Sequence, residues 1–233
     1  MELQIWSDIA CPWCWVGKKH LEMALADFGP DVDIVWRAFE LNPEAPATAP
    51  EPVDYAQRLA AKYGMGRRDA EGFIDRMTGA GRDAGVEMRF DRIRPCNTFN
   101  AHRLLAWAKT SGHRVDLKER LFRAYLNEGR DLNHSDTLRE LATDVGLDAD
   151  GALAVLAGDS FGKEVRMDQA LARQLGITGV PFFVFGRGLA ASGAQPPSVL
   201  LDALQRAHRA GQAEDESSAG SPDGATCGAE GCC

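Results

Sequence analysis

Two stretches near the start of the chain alternate between apolar and polar residues, and a helical pattern lies between them. Residues 2–8 and residues 32–37 both show the two-residue alternation that predicts a strand. Between them, one face of a helix is predicted by apolar residues at i, i+3, i+4 and i+7, namely Leu21, Ala24, Leu25 and Phe28. Residues 1–39 therefore predict a strand, a helix and a second strand.

The long stretch from about residue 53 to residue 176 contains helical repeats and almost no strand pattern. Four glycines follow these repeats and indicate helix ends: Gly112, Gly129, Gly146 and Gly176. The repeats themselves are Leu104, Leu105 and Ala108; Leu117, Leu121 and Tyr125; Leu138, Leu141, Ala142 and Val145; and Met167, Leu171 and Leu175. This part of the chain is therefore predicted to be helical.

The pattern changes again near the C-terminal end. Residues 180–185 form a short apolar run that predicts a buried strand, and residues 189–194, after a glycine-containing turn, predict its hairpin partner. A closing helix is expected after two consecutive prolines, with Ser198 as its N-cap. Residues 211–233 lack apolar periodicity and predict a flexible tail.

These segments predict an α/β fold in which a βαβ unit and a ββα unit complete one small mixed sheet with helices on both faces. Residues 1–41 and 177–210 are predicted to form this discontinuous domain. Residues 42–176 are predicted to be a helical insertion between its two parts, and residues 211–233 form the acidic, cysteine-containing tail.

Composition and charge exclude two classes of partner. Hydrophobic residues make up 45% and charged residues 26% of the 233, which suits a globular protein with a sizeable core. The formal net charge is −8, whereas a nucleic-acid-binding protein is normally basic. No apolar run approaches the roughly 18–20 residues of a membrane span. We therefore expect neither a nucleic acid nor a membrane as partner.

The six cysteines lie mostly near the two ends of the chain. Cys11 and Cys14 form a C-x-x-C motif at the predicted start of the first helix, where free backbone N–H groups and the helix dipole favour a thiolate. Pro12 suits the first helical turn. Cys11 is therefore the candidate nucleophile, and Cys14 is the candidate thiol that resolves a mixed disulfide. The alternative is half of a zinc site.

The Val180–Pro181 dipeptide at the start of the predicted third strand supports the redox interpretation. A proline lacks the N–H that a strand interior needs, so its position is better explained if the Val180–Pro181 bond is cis. In a thioredoxin-type fold such a loop faces the C-x-x-C motif, and the backbone of Val180 could pair with an extended peptide. An ordinary loop proline is the alternative.

The chain resembles the DsbA-like branch of the thioredoxin superfamily, and within it the FrnE-type dithiol oxidoreductases. These are relatives of 2-hydroxychromene-2-carboxylate isomerases and kappa-class glutathione transferases, which typically have serine at the position of Cys11. The resemblance covers about residues 1–210. The segments that match are Ser7-Asp8-Ile9-Ala10-Cys11-Pro12-Trp13-Cys14, Leu41-Asn42-Pro43, Asn97 to Leu104, and Gly179-Val180-Pro181-Phe182-Phe183.

The resemblance implies a thioredoxin fold and a protein thiol–disulfide oxidoreductase or disulfide isomerase. Cys11 would be the nucleophile, Cys14 the resolving thiol and Pro181 the cis-proline. No cofactor is implied beyond the redox-active cysteines. Cysteine-containing proteins are the expected substrates, with glutathione as a further candidate electron partner. The dipeptide between the cysteines contains Trp13 where DsbA has histidine, so strong oxidising power is not implied.

Several residues near the motif are secondary candidates. Asp8 ends the first strand and could accept the proton of Cys14, although a strand-end or capping role is the alternative. Asn97 and His102 lie in a segment that borders the active-site cleft of the isomerase relatives. The alternatives are that Asn97 caps the following helix and that His102 is a core or surface histidine. The remaining candidates for substrate contact are Pro12, Trp13, taken to be exposed, and Val180. Cys96 is interpreted as a buried core thiol.

The tail contains Cys227, Cys232 and Cys233 in a glycine-rich, acidic setting with five acids and no basic residue. Its length after Gly211 allows Cys227 to reach roughly 50 Å at ~3.3 Å per residue. We therefore hypothesise a second redox pair, Cys227 with Cys232, that exchanges electrons with Cys11 and Cys14. Inert thiols or a metal-binding tail are the alternatives. A metal-binding thiol module and a glutathione-dependent small-molecule isomerase also remain alternative functions for the whole chain.

The first residues contain no basic region and lack the pattern of a secretory signal. A cytoplasmic protein is therefore expected, and there a C-x-x-C motif more often serves redox or metal chemistry than architecture. An association with oxidative stress would follow from this setting.

Overall fold

The computed structural model describes residues 1–45 and 54–219, without the side chains of 214–219. The strands are β1 (Glu2–Ser7), β2 (Asp33–Ala38), β3 (Phe182–Phe185) and β4 (Leu189–Ser192). The helices are α1 (Pro12–Phe28), α2 (Tyr55–Tyr63), α3 (Arg67–Asp83), α4 (Phe99–Ala108), α5 (Arg114–Arg123), α6 (Ser135–Thr143), α7 (Ala149–Ala157), α8 (Gly162–Gln174) and α9 (Pro197–Ala219).

The four strands form one mixed sheet in the order β2-β1-β3-β4. β1 pairs in parallel with β2, which places Ile5 opposite Trp36, and antiparallel with β3, which places Ile5 opposite Phe183. β3 and β4 form the hairpin expected around the glycine-containing turn. The sequence-based α/β prediction, with βαβ and ββα units completing one sheet, is confirmed.

Alternation along β1 divides the core between the two faces of the sheet. Leu3 and Ile5 pack on the side of α1 and α9, where Leu21, Leu200 and Leu204 are also buried. Trp6 points to the other face and packs with Ala172 of α8. The N-terminal turn of α1, with both cysteines of the motif, belongs instead to the core of the helical block. The C-x-x-C motif therefore lies where the sheet domain meets the helices.

Four local predictions differ from the structure. α6 ends at Thr143, so Val145 lies beyond it. Met167 and Leu175 are exposed, because α8 buries Val165 and Ala172 instead. Ser198 lies inside α9, which begins at Pro197, and is therefore not its N-cap.

The closing helix also continues into the predicted flexible tail. α9 extends to Ala219, past the boundary expected at residue 210. Cys227, Cys232 and Cys233 lie outside the described residues. None of the helices among the described residues combines the length and the hydrophobicity that a membrane span requires.

Candidate active site

The C-x-x-C motif begins α1 directly after the end of β1. Cys11 is the N-cap residue with extended backbone angles (φ −99°, ψ 110°), and Pro12 is the first helical residue. The Cys11 N–H donates to the Asp8 carbonyl at 3.2 Å, and the Cys14 N–H donates to the Cys11 carbonyl at 3.0 Å. The position predicted for the motif, at the N-terminus of the helix, is therefore the position observed.

The loop before β3 faces this motif. The Val180–Pro181 peptide bond is cis, as the sequence predicts. The Cys11 thiol donates to the Val180 carbonyl, with 3.4 Å between Sγ and O. Gly17 of α1 makes this approach feasible, since a Cβ added there would lie 3.0 Å from Cγ of Pro181. Gly17 was not among the sequence-based candidates, because only the tertiary fold brings it against Pro181.

Both thiols of the motif are buried and free. Cys11 is 3% exposed and Cys14 is 1% exposed. The pKa of Cys11 is raised well above its usual value by its hydrogen bond with the Cys14 side chain, by burial and by charge repulsion from Cys14. Two neighbouring thiolates repel, so a negative charge on Cys14 disfavours ionisation of Cys11. The hydrogen bond with Cys14 and burial therefore oppose the stabilisation that the helix N-terminus offers to a Cys11 thiolate.

Asp8 is a buried carboxylate whose oxygens are already hydrogen-bonded. Oδ2 accepts from the Leu41 N–H at 2.7 Å, and Oδ1 accepts from the Ala10 N–H at 3.3 Å. Burial would raise the pKa of Asp8, but His102, the Leu41 N–H and the Thr98 hydroxyl outweigh it and lower that pKa. A carboxylate that stays ionised is a weak proton acceptor, so this geometry favours a structural role over the proton transfer considered for Asp8.

His102 and Asn97 connect α4 to the segment after β2. Nε2 of His102 lies 3.0 Å from the Phe39 carbonyl, which can only accept, so this nitrogen donates; it is also 3.4 Å from Oδ1 of Asp8. Asn97 accepts from the Phe99 N–H through Oδ1 and donates from Nδ2 to the Pro43 carbonyl. The structure thus brings His102 next to Asp8, while the Asn97 side chain holds the start of α4 against the segment after β2.

The immediate surroundings of Cys11 are aromatic. Trp13 is half-buried and packs against the core, whereas the sequence suggested an exposed ring. Tyr55 of α2 lies close enough for a Cys11 thiolate to raise its pKa, although burial is the larger cause. Pro12 is buried. The rim of the candidate site is therefore formed partly by residues of the helical insertion.

Two observations concern the core-thiol role of Cys96 and the metal-binding alternative for the cysteines. Cys96 is buried, and burial raises the pKa of its thiol well above the usual range, as expected for a core thiol. Within residues 1–45 and 54–219, no group of three or more Cys, His, Asp and Glu side chains is arranged to hold a metal ion. The tail thiols of the metal hypothesis lie outside these residues.

Lys118 of α5 is a buried residue that the sequence patterns did not single out. Its side chain is 1% exposed, and its ammonium lies over the rings of Trp36 and Phe122. The sequence contained a signal of this burial, because Lys118 lies one helical turn before Phe122 and directly follows the core residue Leu117. A lysine is nevertheless usually predicted to lie on the solvent-exposed side of a helix.

A four-stranded sheet with a C-x-x-C motif at the start of α1 and a facing cis-proline defines a thioredoxin-fold protein of the dithiol class. The family model described as a DSBA-like thioredoxin domain matches residues 2–205, so the chain belongs to this family. The resemblance noted in the sequence is thereby confirmed at the level of the DsbA-like family.

Solved structures agree with this assignment. A probable DsbA oxidoreductase from Streptomyces coelicolor is 41% identical to this chain, with a TM-score of 0.84 and 90% of each chain covered. A 2-hydroxychromene-2-carboxylate isomerase (15% identity, TM-score 0.63) covers 92% of this chain and 99% of its own. The cytosolic disulfide reductase DsbM from Pseudomonas aeruginosa (17%, 0.59) covers 93% and 100%, and was also solved with GSH. The last two show the fold alone.

Proposed function

We propose that this chain is a thiol–disulfide oxidoreductase that exchanges disulfides with protein cysteines through Cys11 and Cys14. The observation that supports this most directly is the position of Cys11, at the start of α1 and 3.4 Å from the carbonyl that precedes the cis-proline. The family assignment supports the class of activity. The protein substrates are part of the proposal.

Reduction of a partner disulfide takes two steps. The Cys11 thiolate attacks a partner disulfide, forming a mixed disulfide and releasing one partner thiolate. Cys14 then attacks Sγ of Cys11, so that the Cys11–Cys14 disulfide forms and the second partner thiolate leaves with the electron pair of the broken bond. The partner gains two electrons and the motif loses two, and the reverse sequence oxidises a partner dithiol.

The surface around Cys11 suits an extended peptide. The backbone of Val180 lies beside Cys11 and could pair with a partner segment by strand addition, while the half-buried Trp13 offers an apolar contact. Asn97 and His102 lie deeper, and their hydrogen bonds to Pro43 and Phe39 favour an indirect contribution to substrate binding through the loops they hold.

Substitution of the individual cysteines tests this proposal. Cys11→Ser is expected to abolish reduction of a disulfide-containing model protein, since the thiol that attacks the substrate is then missing. Cys14→Ser is expected to accumulate a mixed disulfide at Cys11, detected by intact mass. Cys96→Ala is the matched control, because it removes a buried thiol outside the motif and should retain activity. Full activity of Cys11→Ser would refute the proposal.

Glutathione is the electron partner that we propose for turnover. Support comes from the fold shared with DsbM, whose structure was also solved with GSH. Reduced glutathione should regenerate the dithiol after a substrate has been reduced, and the free Cys11–Cys14 pair should reappear on mass analysis. Persistence of the disulfide at millimolar glutathione would exclude this role.

The second redox pair, Cys227 with Cys232, is a proposal that rests on the sequence alone. Because α9 extends to Ala219, Cys227 follows the helix by about eight residues, a reach of roughly 26 Å at ~3.3 Å per residue rather than the longer reach from residue 211. Partial oxidation followed by peptide mass mapping should reveal a Cys227–Cys232 disulfide or a Cys11–tail species. Absence of both would exclude the shuttle.

We also propose a cytoplasmic location, for which the cytosolic description of DsbM gives limited support. Fractionation of cells that express the full chain checks this directly, because recovery outside the cytoplasmic fraction would contradict it.

A further inference from the structure

Lys118 places an ammonium group in the core beside the candidate redox pair. Its Nζ lies 4.7 Å from the centroid of the Trp36 ring and 5.4 Å from that of Phe122. Phe122 in turn stacks on Trp15, the residue after Cys14, with 6.1 Å between ring centroids and 9° between ring planes. α5 therefore packs over the first turn of α1, where the resolving thiol lies.

The charges that influence this ammonium come from three parts of the fold. Cys14 and Lys18 lie on α1, Asp8 follows β1, and Arg114 lies one turn earlier on α5. Among the residues that the structure describes, no carboxylate forms an ion pair with Lys118. Aromatic faces attract a cation less strongly than a hydrogen-bonded carboxylate does, so the positive charge of Lys118 is weakly compensated.

This environment prepares Lys118 to exchange a proton. Burial lowers the pKa of Lys118 to about 7; the charges of Cys14 and Asp8 oppose this change, and those of Arg114 and Lys18 add to it. The amine is therefore present in both forms near neutral pH. Asp8, the other ionisable side chain considered for this role, has a lowered pKa and already accepts hydrogen bonds from two backbone N–H groups.

We propose that the Lys118 amine takes the proton of Cys14 when Cys14 resolves the mixed disulfide, an inference that rests on the proposed dithiol exchange. The neutral amine becomes an ammonium as the Cys14 thiol becomes a thiolate. The thiolate attacks Sγ of Cys11, the Cys11–Cys14 bond forms, and the bond from Cys11 to the partner sulfur breaks. The partner thiolate leaves with that electron pair, and Lys118 later returns the proton to solvent or to the leaving thiolate.

Reaction of the reduced full-length chain with an aromatic disulfide such as 5,5′-dithiobis(2-nitrobenzoate) separates the two steps. The first release of chromophore reports attack by Cys11, and the second reports resolution by Cys14. In Lys118→Met the first phase should persist, while the second should slow about 10-fold to 100-fold at pH 7. The wild-type rate of resolution should level off above about pH 7, whereas the Lys118→Met rate should keep rising with pH.

Two further variants separate proton transfer from other roles of the side chain. Lys118→Arg keeps the charge but cannot lose its proton at these pH values, so it should also slow resolution. Lys109→Met removes an exposed lysine that is not among the charges acting on Lys118, and it should leave both phases unchanged. Unchanged resolution in Lys118→Met overturns this inference and leaves the proposed function standing, whereas absence of the first phase in the wild type overturns the proposed function itself.

Direct titration of the wild-type lysine covers the case in which a variant does not fold. The ε-carbon NMR signal of Lys118 should titrate near neutral pH in the reduced protein. It should shift when Cys14 is oxidised, because the negative charge that favours the ammonium is then lost. A lysine signal that titrates only above about pH 9 would overturn the proposal.

Discussion

Lys18 and Lys118 are two lysines with nearly equal burial close to the same pair of cysteines, and their surroundings differ. Lys18, 3% exposed, pairs with Glu22 and Glu119, the latter at 2.7 Å. Lys118, 1% exposed, lies over two aromatic rings instead. The Lys18 ammonium is compensated by carboxylates that accept its hydrogen bonds, whereas the Lys118 ammonium has no carboxylate partner among the described residues.

The difference indicates what each lysine contributes. A buried ion pair with good hydrogen bonds fixes the geometry of the elements it joins, here α1 and α5. A buried lysine without a carboxylate costs folding free energy whenever it is charged. A charged Lys118 is therefore a cost to stability, and the proton exchange that we propose with Cys14 gives this lysine a role outside stability.

The largest predicted effect concerns the pH dependence of stability. Lys118 has a pKa of about 7 in the folded chain, whereas an unfolded lysine has about 10.4. Between these values the unfolded chain binds one more proton, so wild-type stability should rise with pH by about 1.4 kcal/mol per unit relative to Lys118→Met. Below about pH 7 the difference is constant, and Lys118→Met is the more stable protein.

Urea unfolding of both proteins under reducing conditions between pH 6 and pH 10 measures this difference. Other groups that titrate in this range, including tyrosines and cysteines, are present in both proteins and largely cancel. A difference that does not change with pH would show that Lys118 keeps an ordinary pKa in the folded chain.

Substitution of Lys18 should have the opposite sign at neutral pH. Lys18→Met leaves Glu119 half-buried with Lys19 and the Trp15 N–H as its remaining partners, so we expect a loss of about 1–2 kcal/mol in the free energy of unfolding. Lys18→Arg keeps the charge and should lose less. If Lys18→Met and Lys118→Met both stabilised the chain at pH 7, the contrast between the two sites would be wrong.

The sequence was sufficient for the parts of the fold that local pattern determines. The C-x-x-C motif, the strand before it and the helix after it are contiguous, and the cis peptide bond before Pro181 follows from a proline that opens a strand. The prediction that Met167 and Leu175 lie on the buried face of a helix was wrong, because helical spacing alone does not tell which side of α8 meets the sheet. Ala172, which packs with Trp6 of β1, occupies that side.

The sequence was insufficient where distant segments meet. Gly17 matters because Pro181 packs against it, and their contact exists only after the ββα unit joins the sheet. Lys118 shares a helical face with Phe122, but a charged side chain predicts a solvent-exposed position. Its burial results from the packing of α5 against α1 and β2, which the sequence pattern does not show. The partners of Asp8 likewise come from α4 and from the segment after β2.

The smallest predicted effect concerns the carboxylate that distinguishes the two lysines. Burial would raise the pKa of Glu119, but hydrogen bonds from Lys18 and Trp15 and the charges of Lys18 and Lys19 outweigh it and lower that pKa. A lowered carboxylate pKa contributes stability above its unfolded value, near 4.3, which is lost as the pH falls through the folded value. Glu119→Gln should therefore cost up to about 1 kcal/mol at pH 7, because a partly exposed ion pair is screened by solvent, and the cost should be smaller at pH 3. Chemical denaturation at both pH values measures this, with the more exposed Glu87→Gln as control.

The two sites should therefore respond to pH in opposite ways. The stabilisation by Glu119 decreases toward acid pH, whereas the cost of burying Lys118 decreases toward alkaline pH. If the Glu119→Gln difference were as large at pH 3 as at pH 7, the carboxylate would act through packing and not through the charge of Lys18.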